Sequence, residues 1–400
     1  SVRYERYSDF GSTTNPKFTL DWRPIKPIMI RGSYNEGFRA PNLAMTNYPS
    51  RATVGSYDDP YRRPLGGTQD LQFQRLTTIN GNSDLDPETS KGKTLGVVVD
   101  VPFVDGLRFS VDYFNIKQKG LIAGPDASQL RNNDRDLLLA AMNAQLAAGV
   151  PIDQIDLGSG TANYAGNPYI VRDALTAEDR AAFATYNAAN PDNRLAPVGV
   201  LRNTLTPFSN LNSSEITGYD FNITYNLPAY EWGKVNVSTD WTYLSRFRRV
   251  GGLTGASSTQ LGLDGNSRVR GSFNMVWASN EGQWSAGWSA YYIGAYADSQ
   301  ASISDATYLG LFRDADGGWS GEPSYVKTVD GVHYWKIDDS ITYNAFLSKG
   351  FTSESNQFID GLNVRLGVRN LTDEKPPLST HVAGYDASVY NSVAVGRVWT

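Results

Sequence analysis

The chain has 400 residues, 40% of them hydrophobic and 12% aromatic, with 23 tyrosines, nine tryptophans, no cysteine and a net charge of −5 (pI ≈ 5.2). That acidic balance, with no lysine/arginine run to override it, excludes a nucleic-acid binder, and no stretch approaches the ~18 uninterrupted apolar residues of a membrane helix. A mean hydropathy of −0.39 looks soluble, but a membrane barrel averages the same way because only alternate residues of each strand meet lipid.

In chain order, strands are predicted over residues 2–8, 16–23, 27–38, 89–101, 106–119, 214–227, 233–247, 266–278, 283–296, 333–349, 361–371 and 389–400. Residues 219–227 carry the signal most plainly: Tyr219, Phe221, Ile223, Tyr225 and Leu227 alternate with Asp220, Asn222, Thr224 and Asn226. Successive strand side chains point to opposite faces, so one face is apolar and the other polar. Long strands of this kind suit a barrel that is greasy outside and wet inside.

The connections alternate between short and long. Tight turns fall at 24–27, 102–105, 228–232 and 280–282, and long loops at 39–88, 120–213, 248–265, 297–332 and 372–388. Outer-membrane barrels have this asymmetry, with short periplasmic turns and long external loops. The expected fold is therefore all-β, an antiparallel transmembrane barrel of about a dozen strands. The 120–213 loop is long enough to fold on itself. Residues 134–148 have a helical apolar pattern stopped at Gly149-Val150-Pro151, and Thr176-Ala177-Glu178-Asp179 opens a second helix reaching about Ala189. Such a loop either caps the barrel or grips a ligand.

Five segments resemble the barrel of TonB-dependent outer-membrane receptors. They are Arg31-Gly32-Ser33-Tyr34-Asn35-Glu36-Gly37-Phe38-Arg39-Ala40-Pro41, then Leu85-Asp86-Pro87-Glu88-Thr89-Ser90, Val111-Asp112-Tyr113-Phe114, Gly218-Tyr219-Asp220-Phe221, and Gly367-Val368-Arg369-Asn370-Leu371-Thr372-Asp373-Glu374. They stand in the family's order across nearly the whole chain. The resemblance implies a barrel of about 22 strands filled by a plug, so residues 1–400 are expected to be its C-terminal part, with the plug and first strands absent. It also implies residence in the bacterial outer membrane, lipid contact, energy coupling through TonB, and uptake of a ferric siderophore, cobalamin, haem or an oligosaccharide. A passive porin of about twelve strands, closed on itself, is the alternative. A soluble β adhesin is a further rival, and it requires Trp241, Trp277, Trp284 and Trp288 to be buried.

Candidate ligand contacts come from two places. Arg268, Arg270, Arg365 and Arg369 alternate with apolar residues and are expected to point into the lumen. There they would attract an anionic ligand or pair with Asp112, Asp220 and Asp240. Tyr57, Tyr61, Arg62 and Arg63 enrich the first long loop in the residue types of binding surfaces. No cofactor is implied. With two histidines and no cysteine, no metal site or enzymatic constellation stands out. Asp314-Ala315-Asp316-Gly317 imitates the opening of a calcium loop but lacks the closing glutamate.

Overall fold

A computed structural model describes all residues except 8–10, 252–254, 313–315, 317, 319–320, 322 and 353–357. Most of the calcium-like Asp314–Gly317 run lies outside the described residues.

Twelve strands follow one another along a single antiparallel sheet: Val2–Tyr7, Gly11–Ile25, Ile28–Arg39, Glu88–Asp100, Leu107–Ala123, Ser209–Asn226, Lys234–Gly251, Val269–Ala278, Trp284–Ile293, Ser340–Gly350, Asn363–Arg369 and Val398–Trp399. A short thirteenth, Ala256–Thr259, pairs back onto Lys234–Gly251. The first and last strands pair with one neighbour each among the described residues, so the sheet is open and not a closed twelve-strand cylinder.

Cross-strand register explains the sequence pattern. Tyr113, Tyr219 and Tyr243 lie opposite one another, and so do Val111, Phe221 and Trp241. These side chains share the outer face with Leu20, Trp22, Leu95, Leu347 and Leu366, all well exposed. Exposed apolar surface of this extent is unstable in water and suits lipid. None of Trp241, Trp277, Trp284 and Trp288 is buried, contrary to the adhesin alternative.

Two stretches depart from the sequence expectation. Residues 333–349 form two strands, Val332–Ile337 and Ser340–Gly350, broken at Asp338-Asp339, and only the second belongs to the wall. The expected 389–400 strand is mostly the helix Ala387–Ala394, leaving Val398–Trp399 as strand. Asp386 caps that helix by accepting from the Ser388 N–H. Val389 and Val393, one helical turn apart, pack with Tyr390 against Tyr296 and Ile337. Gly396 ends it at φ +76°.

The two longest loops fold together. Arg51–Tyr57 and Phe73–Ile79 from the first loop form a four-stranded sheet with Ile170–Arg172 and Leu201–Leu205 from the second. The joining pair, Phe73–Ile79 with Leu201–Leu205, is parallel. The second loop's helices are Ala127–Ala147 and Ala177–Ala189. The first starts about two turns earlier than its apolar pattern indicates, because Asp126 caps it. The second has a full capping box between Thr176 and Asp179.

Candidate functional site

The cap built from these loops has its own core. Tyr61, Leu138, Met142, Ile155, Leu157, Phe183 and Val198 pack together from both loops. Within it lie buried charges. Arg172 donates to Asp59 (Nη2 to Oδ1 2.9 Å) and to Asp134 (Nη2 to Oδ2 2.9 Å), and all three side chains are fully buried. Arg62 bridges Asp70 (2.7 Å) and Asp179 (2.6 Å) and donates to the Val198 carbonyl. Buried ions persist only when paired and hydrogen-bonded in this way. Burial alone would raise the Asp59 pKa, but the Arg172 guanidinium and the Arg62 backbone N–H outweigh it and hold the carboxyl below its ordinary value. Desolvation drives the Tyr61 and Tyr164 hydroxyls well above theirs.

The predicted loop contacts therefore divide. Tyr61, 1% exposed, donates to the Ala196 carbonyl at 3.0 Å inside the core. Arg62, 4% exposed, has its donors taken. Neither presents a binding surface; the Asp-Pro-Tyr-Arg run that looks like a paratope is the inside of a folded unit. Tyr57 is half-buried beneath the Arg131 guanidinium, 3.9 Å from its ring centroid. Arg63 is exposed, 3.3 Å from Asp58.

The inner face of the wall forms a concavity of ≈ 900 Å³ lined by Arg31, Asp112, Asp220, Asn222, Asp240 and Thr242, among others. Three of its carboxylates are already engaged: Arg31 donates to both oxygens of Asp112 (2.7 and 2.5 Å), Asn222 donates to Asp240 (2.7 Å) and Thr242 to Asp220 (2.6 Å). Among the described residues no ion pair joins these aspartates to any of the four arginines singled out from sequence. Arg270 donates to Ser267 and to the Gly265 carbonyl. With Arg369 it lines a second concavity of ≈ 690 Å³, bounded by Val389 and Val393 of the 387–394 helix. Arg365 lies over the Phe346 ring at 3.7 Å. Arg268 departs from the inward expectation. It precedes the strand, where alternation no longer binds it, and its guanidinium approaches the outward Tyr243 (3.4 Å from the hydroxyl, 5.8 Å from the ring).

One grouping has donors for a divalent ion. Asp264, Asp298 and His381 place ligand atoms within 4.8 Å of one another. Protein donors already serve those carboxylates: Asp298 accepts from Gln300 and Thr380, and Asp264 from Ser299. They hold the buried Asp298 carboxyl below its ordinary value against the cost of desolvation.

Sequence reasoning did not find the Asp59–Arg172–Asp134 triad, whose members are scattered over three segments. The only local signal is an excess of paired charges beside a cap-forming loop.

Residues 1–371 match the family described as TonB dependent receptor-like, beta-barrel. Similar solved structures include the siderophore receptor PirA from Acinetobacter baumannii (14% identity, TM-score 0.52) and a mutant of the ferric enterobactin receptor PfeA from Pseudomonas aeruginosa (14%, TM-score 0.53). Each covers 100% of this chain and 41% of its own, so the chain spans well under half the length of these receptors. At that identity the likeness establishes the fold. No curated protein matches the chain. The family and these structures are receptors and not enzymes. With the family's motifs in order along an outward-greasy, inward-polar sheet, the chain belongs to the TonB-dependent receptor-like β-barrel family.

Proposed function

We propose that the chain is a C-terminal portion of the wall of an outer-membrane receptor that takes up a ferric siderophore, with energy delivered through TonB to parts of the receptor beyond these residues. The observation that carries the reading is the placement of Arg270 and Arg369 on one inner concavity beneath the 387–394 helix. Two guanidinium groups facing a shared, partly apolar hollow suit a ligand with anionic oxygens and a greasy rim. The family match supports the receptor class, and one PfeA structure, TM-score 0.51, is in complex with enterobactin. The exposed Arg63 and the half-buried Tyr57 belong to this reading as outer contacts on the ligand's route, and Arg365 as a contact lower on the inner face, near the opposite end of its strand from Arg369.

The test is uptake of a radiolabelled ferric siderophore by cells making the natural polypeptide, with and without a protonophore. Saturable, protonophore-sensitive uptake is expected, with at least ~10-fold weaker binding in the Arg270→Ala/Arg369→Ala double variant. Non-saturable uptake that ignores the protonophore would instead establish a passive channel. Competition by cobalamin, haem or an oligosaccharide would reassign the ligand.

A further inference from the structure

Three long connections meet at Asp264, Asp298 and His381. Asp264 lies between the wall strands Lys234–Gly251 and Val269–Ala278, and Asp298 on the strand Tyr296–Ile303 beyond the wall. His381 lies in the connection that leads to the 387–394 helix. Their ligand atoms stand within 4.8 Å of one another.

Two of these groups are chemically incomplete. The Asp298 side chain has no exposure, and among the described residues no lysine or arginine pairs with it. Only neutral donors reach it: the Thr380 N–H and hydroxyl at Oδ2, and the Gln300 N–H at Oδ1. A buried carboxylate ordinarily has a cation beside it or a metal ion bound to it. The His381 Nε2 faces the same Oδ1, with no solvent access and no hydrogen-bond partner. The two atoms are 4.0 Å apart. That exceeds the ~3.2 Å limit of an N–H···O bond but matches the roughly 3–4 Å between two donors that share one ion at ~2.1 Å bonds.

Acceptor capacity remains at both carboxylates. Each offers about four lone-pair sites; Asp298 Oδ1 serves only the Gln300 N–H, and Asp264 only the Ser299 N–H. Asp264 is exposed, so its free oxygen can turn toward the other two groups.

We propose that these side chains bind one divalent transition-metal ion through His381 Nε2, Asp298 Oδ1 and an Asp264 oxygen, with water completing the shell. One imidazole with two carboxylates favours zinc over calcium or magnesium, which take oxygen ligands. The two negative charges match the ion's positive ones. The ion ties the three connections together. It also fixes Gly265, next to Asp264, whose carbonyl accepts from Arg270 and whose Cα lies against Val389 of the 387–394 helix. This is a resident site and does not depend on what the receptor transports.

The test is calorimetric zinc titration of the natural polypeptide, purified in detergent and stripped with a chelator. His381→Gln and Asp264→Asn should each weaken one equivalent of binding by at least ~100-fold, beyond the ~10–100-fold that changes outside the ligand shell cost. Hydrogen exchange over residues 262–265, 296–300 and 379–384 should slow on zinc addition in the wild type and in neither variant. Zinc binding unchanged in either variant overturns the proposal and leaves His381 and Asp298 as a pair bridged by a proton. Calcium binding that equals zinc binding and survives His381→Gln overturns it too, since that marks an all-oxygen site. Should both variants fail to fold, X-ray absorption of the wild type at one equivalent of zinc decides. One imidazole with oxygen donors at ~2.0–2.2 Å is expected, and an all-oxygen shell or several imidazoles overturns the proposal. Siderophore uptake is read separately, so loss of zinc with uptake retained leaves the transport reading standing.

Discussion

Asp59 and Arg172 are 113 residues apart in sequence, yet their side chains meet with no exposure to solvent, one from each of the two longest loops. Asp134 completes the triad from about two turns into the second loop's long helix. The contact joins the two loops beside their shared sheet and the apolar core around Tyr61.

Removing the cation should open that junction. Arg172→Met leaves Asp59 and Asp134 buried without their ion-pair partner, holding only the Tyr61 and Arg62 N–H groups and the Tyr164 hydroxyl and Asn167 N–H respectively, a loss of about 3–5 kcal/mol. Hydrogen exchange should accelerate over residues 51–79 and 201–205 while the Ser209–Asn226 wall strand stays protected. Unchanged exchange in the cap would show that its apolar core suffices without the triad.

Acid should reach the same state by titration. Asp59 and Asp179 both have folded pKa values below the ordinary carboxylate value: desolvation opposes this in each, but Arg172 for one, and the Thr176 N–H and Arg62 for the other, prevail. A depressed folded value means the stabilisation is fully present above the unfolded pKa of ~3.9 and is lost as pH falls through the folded one. Cap protection should therefore be flat from neutrality to about pH 4 and decline only below it. A decline centred near pH 6 would contradict this assignment.

On the wall, Trp241 lies across Gly271, its partner in register, where an added Cβ would collide with the indole. Gly271→Val should displace Trp241 and cost about 1–3 kcal/mol. The thermal unfolding midpoint and the tryptophan emission maximum would both shift. An unaltered emission spectrum would mean that the indole does not rest there.

Asn370 offers a test of the Arg-Asn-Leu-Thr-Asp run as architecture. It is buried at φ +53°, donates from its side chain to the Glu374 carbonyl (2.9 Å) and accepts from the Glu374 N–H (2.8 Å). Asn370→Ala removes both bonds and strains the left-handed backbone, for about 1–3 kcal/mol. Asn370→Gly should recover the backbone part alone. Protease sensitivity of residues 372–386 ranks the three proteins, and equal sensitivity would deny Asn370 this role.

Most of the wall was legible from alternation, because lipid on one side and water on the other write a period of two directly into residues such as Tyr219 to Asn226. The 176–189 helix was legible for a different reason: its capping box is local. Legibility ended where a stretch satisfies two periods. Val389, Val393 and Val395 alternate as a strand does, yet Val389 and Val393 also share a helix face, and packing on Tyr296 decided for the helix. It ended again at Tyr61 and Arg62, since composition does not distinguish a binding surface from the interior of a unit closed by residues more than a hundred positions away. The inner arginines show a third limit. Alternation gave their face for Arg270, but partner choice depends on register, and Asp112 went to Arg31.

The parallel pairing of Phe73–Ile79 with Leu201–Leu205 also sets an order of assembly. Thr78 finds Asn203 across 125 residues, and two wall strands, Glu88–Asp100 and Leu107–Ala123, run between them. Neither loop can complete the shared sheet before the other is in place. The hairpin of the first loop and the capped helices of the second can form locally, but the shared sheet condenses only once both loops are present, as a slow, high-contact-order event. Resistance of residues 51–205 to added protease would then time the end of cap assembly, a clock built into the long-loop end of the protein.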